Sequence, residues 1–211
     1  MRIHIVCGHY GSGKTEFAIN LALKLKEQYN KVKIIDIDTV NPYFRTADAK
    51  EYLEEHGITA IIPEFANTNV DLPSLPPEIF SAFSDKESAV VFDVGGDDEG
   101  AIALGQYNRF FREEDYAMYF IHNARRLLTS TLEESLAMMR DIEATSRLHF
   151  TSIVANTNLQ GETTREIIEQ GLFKTEELSK ASNVPIQYIC GFHKDSEKVN
   201  FLMKNFMKLP F

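Results

Sequence analysis

The residues with the clearest chemistry lie near the amino terminus, where residues 8 to 15 read Gly-His-Tyr-Gly-Ser-Gly-Lys-Thr. This run matches G-x-x-x-x-G-K-[ST], a pattern whose backbone N–H groups surround a polyphosphate. Glycine leaves room for the chain to approach the anion closely. The predicted phosphate ligands are Gly8, Gly11, Ser12, Gly13, Lys14 and Thr15.

Lys14 and Thr15 have different expected roles in this phosphate loop, residues 8–15. Lys14 would contact the terminal phosphates as a positive charge and take part in catalysis. The Thr15 hydroxyl would bind Mg²⁺. The alternative is a glycine-rich turn that matches by chance. The apolar run before the loop and the helical pattern after it favour a phosphate site.

Two aspartates follow apolar runs and are candidate partners of the metal. Asp93 comes directly after Val90-Val91-Phe92 and is expected to hold Mg²⁺ through water, opposite Thr15. Asp38 ends an earlier run and could orient the attacking water or bind Mg²⁺. Asp36 competes with Asp38 for this role, but Asp38 is expected to lie closer to the phosphate loop. The alternative for Asp93 is a cap for the next helix.

Gly95 and Gly96 follow Asp93 and could present bare N–H groups to the γ-phosphate. The segment after them could then change conformation with the state of the nucleotide.

Asn156 bears on the identity of the base. A common guanine-recognition motif is N-K-x-D, but Thr157, Asn158 and Leu159 follow Asn156 here, so the lysine and the aspartate are missing. The sequence therefore favours adenine. An asparagine that ends a strand in a turn is the alternative.

Apolar runs that alternate with helical patterns position these residues. The pattern predicts an α/β fold, a mostly parallel sheet with helices on both faces, in which ligands bind beyond the carboxyl ends of the strands. The predicted strands cover residues 3–7, 31–38, 58–63, 88–96, 116–122, 150–155 and 186–190. The predicted helices cover residues 14–29, 43–56, 76–84, 97–114, 131–147, 163–181 and 196–208, and residues 65–77 form a surface loop.

Composition limits the remaining possibilities. A chain of 211 residues suits one domain, residues 1–211, and a net charge of −9 argues against a general nucleic-acid surface. No apolar run is long enough for a membrane span or a signal peptide, so we expect a cytoplasmic protein. The apolar stripe of the predicted last helix could lie on a membrane, but packing on the sheet explains it better.

The phosphate loop, Asp38, the segment Asp93-Val94-Gly95-Gly96 and Asn156 together resemble the MinD/ParA/CobQ group of P-loop ATPases, in the SIMIBI class. The resemblance covers nearly the whole chain. It implies a seven- or eight-stranded sheet, ATP and Mg²⁺ as cofactors, and switch regions after the two aspartates. It also implies purine contacts from Asn156 and from the loop of residues 191–193, with Phe192, and a possible nucleotide-dependent homodimer.

One departure from that group concerns its signature K-G-G-x-G-K-[ST], whose first lysine reaches across the dimer. His9 and Tyr10 stand in place of this lysine and the glycine after it. Arg45 could substitute as a cation near the γ-phosphate, or it could be a solvent-facing arginine at a helix start.

The function that these features predict is a Mg²⁺-dependent, slow, partner-stimulated ATPase that acts as a nucleotide-driven switch on an unknown client protein. One alternative is a nucleotide sensor that does not hydrolyse, and the missing lysine favours it. A GTPase, or a small-molecule kinase or ligase on the same fold, is another.

Overall fold

Eight apolar segments form one sheet in the computed structural model of the protein, which describes residues 1–38, 46–62, 77–192 and 196–206. All neighbouring strands are parallel, in the order β3-β2-β4-β1-β5-β6-β7-β8. The strands are β1 Ile3–Cys7, β2 Lys31–Asp36, β3 Ile58–Ile61, β4 Ser88–Asp93, β5 Tyr116–His122, β6 Ser152–Ala155, β7 Ile186–Gly191 and β8 Phe201–Leu202. The predicted fold class is confirmed.

Seven α-helices lie between the strands of the described chain, with short 3₁₀ turns at 46–49, 77–79 and 160–162. The helices are α1 Lys14–Lys26, α2 Lys50–Glu55, α3 Phe80–Ser84, α4 Asp97–Gln106, α5 Asn108–Arg112, α6 Leu132–Ser146 and α7 Arg165–Ser182. Thr131 and Glu134 form a capping box at the start of α6, in which each side chain accepts a hydrogen bond from the other's backbone N–H. Gly57 lies between α2 and β3 and has a φ of +70°.

The sheet is buried on both faces because successive residues of each strand pack against different layers. On β1, Ile3 and Ile5 contact the core beneath α3 to α7, whereas Val6 contacts the core beneath α1 and α2. All five residues of β1 are buried. This central strand therefore carries the phosphate loop on a rigid base.

Two predicted helices differ in detail from the structure. The helix over 97–114 is divided at Tyr107 into α4 and α5. Of the helix over 43–56, residues 46–55 form a 3₁₀ turn and α2, and residues 43–45 lie outside the described chain. The predicted surface loop at 65–77 falls almost entirely outside it as well.

The prediction of a last helix over 196–208 is wrong for the described residues 196–206. Phe201 and Met203 are buried at 3% and 4% exposure, while Leu202 between them is 49% exposed. This alternation has the period of a strand, and Phe201–Leu202 pairs with β7. Burial along the sheet edge therefore decided the conformation. None of the described helices has both the length and the apolar character needed to cross a membrane.

Candidate functional site

The phosphate loop connects β1 to α1 with three glycines at positive φ. Gly8, Gly11 and Gly13 have φ values of +152°, +72° and +90°. A Cβ atom on Gly8 would lie 2.7 Å from the carbonyl oxygen of Ile121, so only glycine fits beside β5. The predicted strand, loop and helix are present in that order, and Lys14 is the first residue of α1.

Hydrogen bonds hold this loop in shape. The Lys14 ammonium is nearly buried and donates to the carbonyl oxygen of His9 at 3.1 Å. The Asn156 side-chain amide donates to the carbonyl oxygen of Ser12 at 2.8 Å. The Ser12 hydroxyl is buried and has no hydrogen-bond partner in the described chain. The loop is thus braced from β6 and has an unsatisfied hydroxyl group within it.

Two buried carboxylates lie side by side next to this loop. Asp36 and Asp93 are opposite each other in the register of β2 and β4, at 1% and 2% exposure. One carboxylate oxygen of Asp93, Oδ2, accepts a hydrogen bond from the Thr46 hydroxyl at 3.0 Å. The other, Oδ1, is buried without a partner among the described residues.

Burial, and then the charge of Asp36, raise the pKa of Asp93 to about 7. The charge of Lys14 and hydrogen bonds from the hydroxyl groups of Thr15 and Thr46 act in the opposite direction. A divalent cation between Thr15 and Asp93 would relieve the repulsion and satisfy the free oxygen. The donor set therefore fits Mg²⁺, although no cluster of three or more histidine, cysteine or acidic side chains occurs in the described residues.

Asp38 lies at the rim of the site. It is partly buried and lines the cavity described below, and its backbone N–H donates to the Asp36 carboxylate at 2.9 Å. Its Oδ1 atom is 2.9 Å from the position that a Cβ atom would take on Gly95. The sequence favours Asp38 over Asp36 as the residue that orients water or binds Mg²⁺, but Asp36 is the carboxylate opposite Asp93. The roles of Asp36 and Asp38 stay predictions.

Gly96 brings the end of β4 onto the phosphate loop. A Cβ atom there would lie 2.8 Å from the backbone nitrogen of Tyr10 and 3.1 Å from the Lys14 ammonium nitrogen. Contacts this short leave no room for a side chain. Gly96 is therefore beside the loop, whereas the atoms nearest a Cβ position on Gly95 belong to Asp38. The role of the two glycines at a γ-phosphate stays a prediction.

A cavity of about 1090 Å³ opens beside the phosphate loop and Asp38. It extends from Gly11 and Thr15 past Asn156 to Phe192 and Met203. Its size suits a nucleoside triphosphate. His193, in the predicted purine loop, and Arg45 lie outside the described residues.

Sequence reasoning missed two features of this cavity. The Arg126 side chain lies across Gly11, and the pair Arg125-Arg126 was its only signal in the sequence. The C-terminal segment, residues 203–206, lies along α1. The backbone of Lys204 exchanges two hydrogen bonds with the Asn20 side chain, and the Phe206 N–H donates to Glu16 at 2.6 Å.

Comparison with known proteins supports the fold. No protein-family model matches the chain, and no curated protein matches its sequence. FtsY from Mycoplasma mycoides is 16% identical, with a TM-score of 0.62 over 97% of this chain and 63% of its own length. This chain has the fold of P-loop NTPases such as FtsY. At such identity the likeness shows the fold alone.

Two further structures with the same fold are described as complexes with a nucleotide. A nucleotide-binding protein from Archaeoglobus fulgidus, in complex with ADP, is 16% identical with a TM-score of 0.51, over 88% of this chain and 81% of its own. The signal recognition particle 54 kDa protein from Aeropyrum pernix, in complex with GDP, is 18% identical with a TM-score of 0.51, over 88% and 40%. These neighbours include SIMIBI-class P-loop NTPases.

Proposed function

We propose that the protein binds ATP with Mg²⁺ in this cavity and hydrolyses it slowly, as a nucleotide-driven switch of the MinD/ParA type. The observation that carries the proposal is the convergence of the phosphate loop with an oxygen of buried Asp93 that has no partner among the described residues. A glycine-rich anion loop next to two buried carboxylates has little structural value by itself, since it destabilises the free protein. A polyphosphate with its cation would satisfy both parts.

The residues would divide the work by position. The phosphate loop and the start of α1 would bind the polyphosphate, and Lys14 would exchange the His9 carbonyl oxygen for a phosphate oxygen. Thr15 and Asp93 would hold Mg²⁺, which neutralises developing phosphate charge when bound. Asp38, at the rim, would orient the attacking water, and Asp36, which accepts a hydrogen bond from the Asp38 N–H, would keep Asp38 in place. Gly95 and Gly96 would offer N–H groups to the γ-phosphate.

The residues of the cavity around Asn156 and Phe192 favour adenine over guanine as the bound base. The Asn156 side-chain nitrogen donates to the Ser12 carbonyl oxygen, and no lysine or aspartate completes a guanine motif after Asn156. Phe192 and Met203 supply apolar surface for a purine ring.

GTP is the second candidate because Glu162 also lines the cavity. A carboxylate there could accept hydrogen bonds from the N1 and N2 groups of guanine.

The switch would act through the segments after Asp38 and Asp93. A change at the γ-phosphate would be passed to these segments and alter the surface offered to a client protein or to a second copy of the chain. The net charge of −9 agrees with a cytoplasmic protein partner more than with nucleic acid or an anionic membrane.

The test is equilibrium binding of Mg²⁺ATP and Mg²⁺GTP, followed by single-turnover release of labelled phosphate. We expect tighter binding of ATP, dependence of binding on Mg²⁺, and loss of binding and phosphate release in Lys14→Ala. Lys26→Ala, at the other end of α1, is the matched control. Binding without phosphate release would support the nucleotide sensor instead. Binding of neither nucleotide, or binding that Lys14→Ala leaves unchanged, would refute the proposal.

A further inference from the structure

A loop after β5, residues 123–129 and here called the tip loop, places Arg126 against the phosphate loop. The Cβ position on Gly11 is 3.4 Å from Nε, 3.5 Å from Cζ and 3.8 Å from Cδ of Arg126. The end of this side chain therefore lies along the phosphate loop at its middle glycine, and Arg126 lines the candidate cavity. A Cβ atom on Gly11 would be in van der Waals contact with the Arg126 side chain.

The tip loop is held firmly at its base. The Thr129 hydroxyl, fully buried, donates to the carbonyl oxygen of Asn123 at 2.9 Å, and the Asn123 side chain donates to that of Asn158 at 3.1 Å. The Ala124 N–H donates to the Thr157 hydroxyl at 3.1 Å. These bonds join the loop to the segment after β6. The backbone of Arg126 is thus positioned before any ligand arrives.

Leu128, two residues after Arg126, has φ +62°, which is costly for a leucine. Its side chain is 54% exposed, so burial of the side chain does not compensate for that cost. Strain of this kind persists where the surrounding structure requires one loop shape. It agrees with a loop whose task is to place Arg126.

The guanidinium of Arg126 has no partner in the described protein. It is solvent-exposed and makes no ion pair or side-chain hydrogen bond with a described residue. The neighbouring Arg125 side chain instead turns away and donates to Gln170 at 2.6 Å. The described cations that line the cavity are Lys14, Arg126 and Lys204, and the last donates to the Tyr52 hydroxyl at 3.3 Å.

We propose that the Arg126 guanidinium binds the polyphosphate of the nucleotide within its own chain. The inference rests on the proposed function, because it concerns the same cavity. A nucleoside triphosphate brings several negative charges to a site that already contains Asp36, Asp38 and Asp93. Arginine matches paired phosphate oxygens with two parallel hydrogen bonds. Arg126 thereby supplies positive charge at the phosphate loop without a second subunit.

The experiment compares Arg126→Ala with Arg125→Ala, a matched control of the same type on the same loop. Calorimetric titration with the mono-, di- and triphosphates of adenosine and guanosine, each with Mg²⁺, measures both variants and the wild type. We expect Arg126→Ala to weaken triphosphate binding about tenfold, in line with loss of a charge-assisted hydrogen bond. The effect should shrink for the monophosphate and at high salt, and Arg126→Lys should lie between. Arg125→Ala should bind like the wild type.

A mixing experiment tests whether the contact is made within one chain. Lys14→Ala and Arg126→Ala are each deficient in binding, and combining them should restore nothing if Arg126 serves its own site. Restored binding in the mixture would overturn the proposal, since it would show that Arg126 acts across subunits. Equal effects of Arg126→Ala and Arg125→Ala, or an equal loss for mono- and triphosphates, would overturn it too.

The outcomes also separate this inference from the proposed function. If the wild type binds triphosphates through Lys14 and Arg126→Ala has no effect, only the role of Arg126 fails. If the wild type binds no nucleotide, both fail. Both alanine variants change exposed side chains, so thermal unfolding should match the wild type, which confirms that changed binding does not reflect misfolding.

Discussion

The buried Asp93 carboxylate destabilises the protein without ligand, and the same carboxylate is the proposed ligand of Mg²⁺. Its pKa is raised because burial and Asp36 disfavour the charged form, and one of its oxygens has no partner in the described chain. A group whose pKa is higher in the folded than in the unfolded state contributes stability at low pH. That contribution is lost as pH rises through the folded-state pKa, here about 7.

We predict that Asp93→Asn stabilises the protein at pH 8 in the absence of metal and nucleotide, by on the order of 2 kcal/mol. Asparagine keeps an acceptor for the Thr46 hydroxyl and does not ionise. Urea unfolding at pH 5 and pH 8 measures the gain, which should be clearly smaller at pH 5 because Asp93 is still protonated in the folded state there. The same variant should lose Mg²⁺-dependent nucleotide binding. Destabilisation at pH 8 would contradict the account of Asp93 as a strained carboxylate.

Gly96→Ala tests the contact between the end of β4 and the phosphate loop. A methyl group there would meet the Tyr10 nitrogen and the Lys14 ammonium, so the loop must move. We expect nucleotide affinity to fall about tenfold or more and the unfolding free energy to fall by about 1–3 kcal/mol, since backbone atoms of the loop must shift. Gly161→Ala is the control, because a Cβ atom on Gly161 meets nothing within 4 Å. Titration calorimetry with Mg²⁺ATP compares the two variants.

At the scale of elements, α1 does more than carry Lys14 and Thr15. Glu16 and Asn20, on its first turns, hold the backbone of the C-terminal segment. This segment also places Met203 and Lys204 in the cavity wall. One helix thus joins the phosphate end of the site to the opposite end.

Asn20→Ala should release this segment. It removes both hydrogen bonds to the Lys204 backbone and leaves partly buried groups unsatisfied, which costs about 1–3 kcal/mol. Urea unfolding measures the loss, and faster hydrogen exchange at the Lys204 and Phe206 amides shows where it acts. Glu27→Ala, exposed at the end of the same helix, should change neither. Unchanged exchange at both amides would mean that other contacts hold the segment.

The elements that the sequence predicts well are those with a local signal. The apolar runs of β1, β2, β4 and β5 are predicted from neighbouring residues alone. The end of the chain was misassigned because Val199, Leu202, Met203 and Phe206 also fit a helical stripe. Only the edge of β7, which is distant in sequence, selects the extended form.

At the scale of the whole molecule, some residues of the candidate site have a local sequence pattern, whereas other contacts of the site depend on the fold. The phosphate loop and Asp93 have local patterns, and the parallel-sheet rule brings them to one edge. The contacts of Arg126 with Gly11 and of Asn156 with Ser12 join residues more than 100 positions apart. No pattern in the sequence encodes them, because they depend on the order of β1, β5 and β6 in the sheet.

Two buried histidines in central strands make the whole fold sensitive to acid. Burial lowers the pKa of His4 on β1 and of His122 on β5 to about 4. The unfolded chain, with an ordinary pKa near 6.5, binds these protons first. Stability should therefore be complete above about pH 6.5 and fall as the pH drops towards 4, by about 3 kcal/mol for each histidine.

Urea unfolding between pH 7 and pH 4 in the wild type and in His122→Asn checks this expectation. The variant should show a shallower loss of stability with acid, whatever its stability at pH 7. His149→Asn, whose side chain is 84% exposed, should follow the wild type. An equal loss of unfolding free energy with acid in all three proteins would mean that folding does not lower the pKa of His122.

The strand order also sets which end of the site opens first. The phosphate loop follows β1, in the middle of the sheet, whereas the wall formed by Met203 follows β8, a two-residue strand at the margin. Local fluctuations begin at such margins and spare the centre. Under the proposed function, the base of a hydrolysed nucleotide would be uncovered while its phosphates are still bound. The nucleotide would then leave base first, and a factor that speeds exchange would act by displacing the segment after β8.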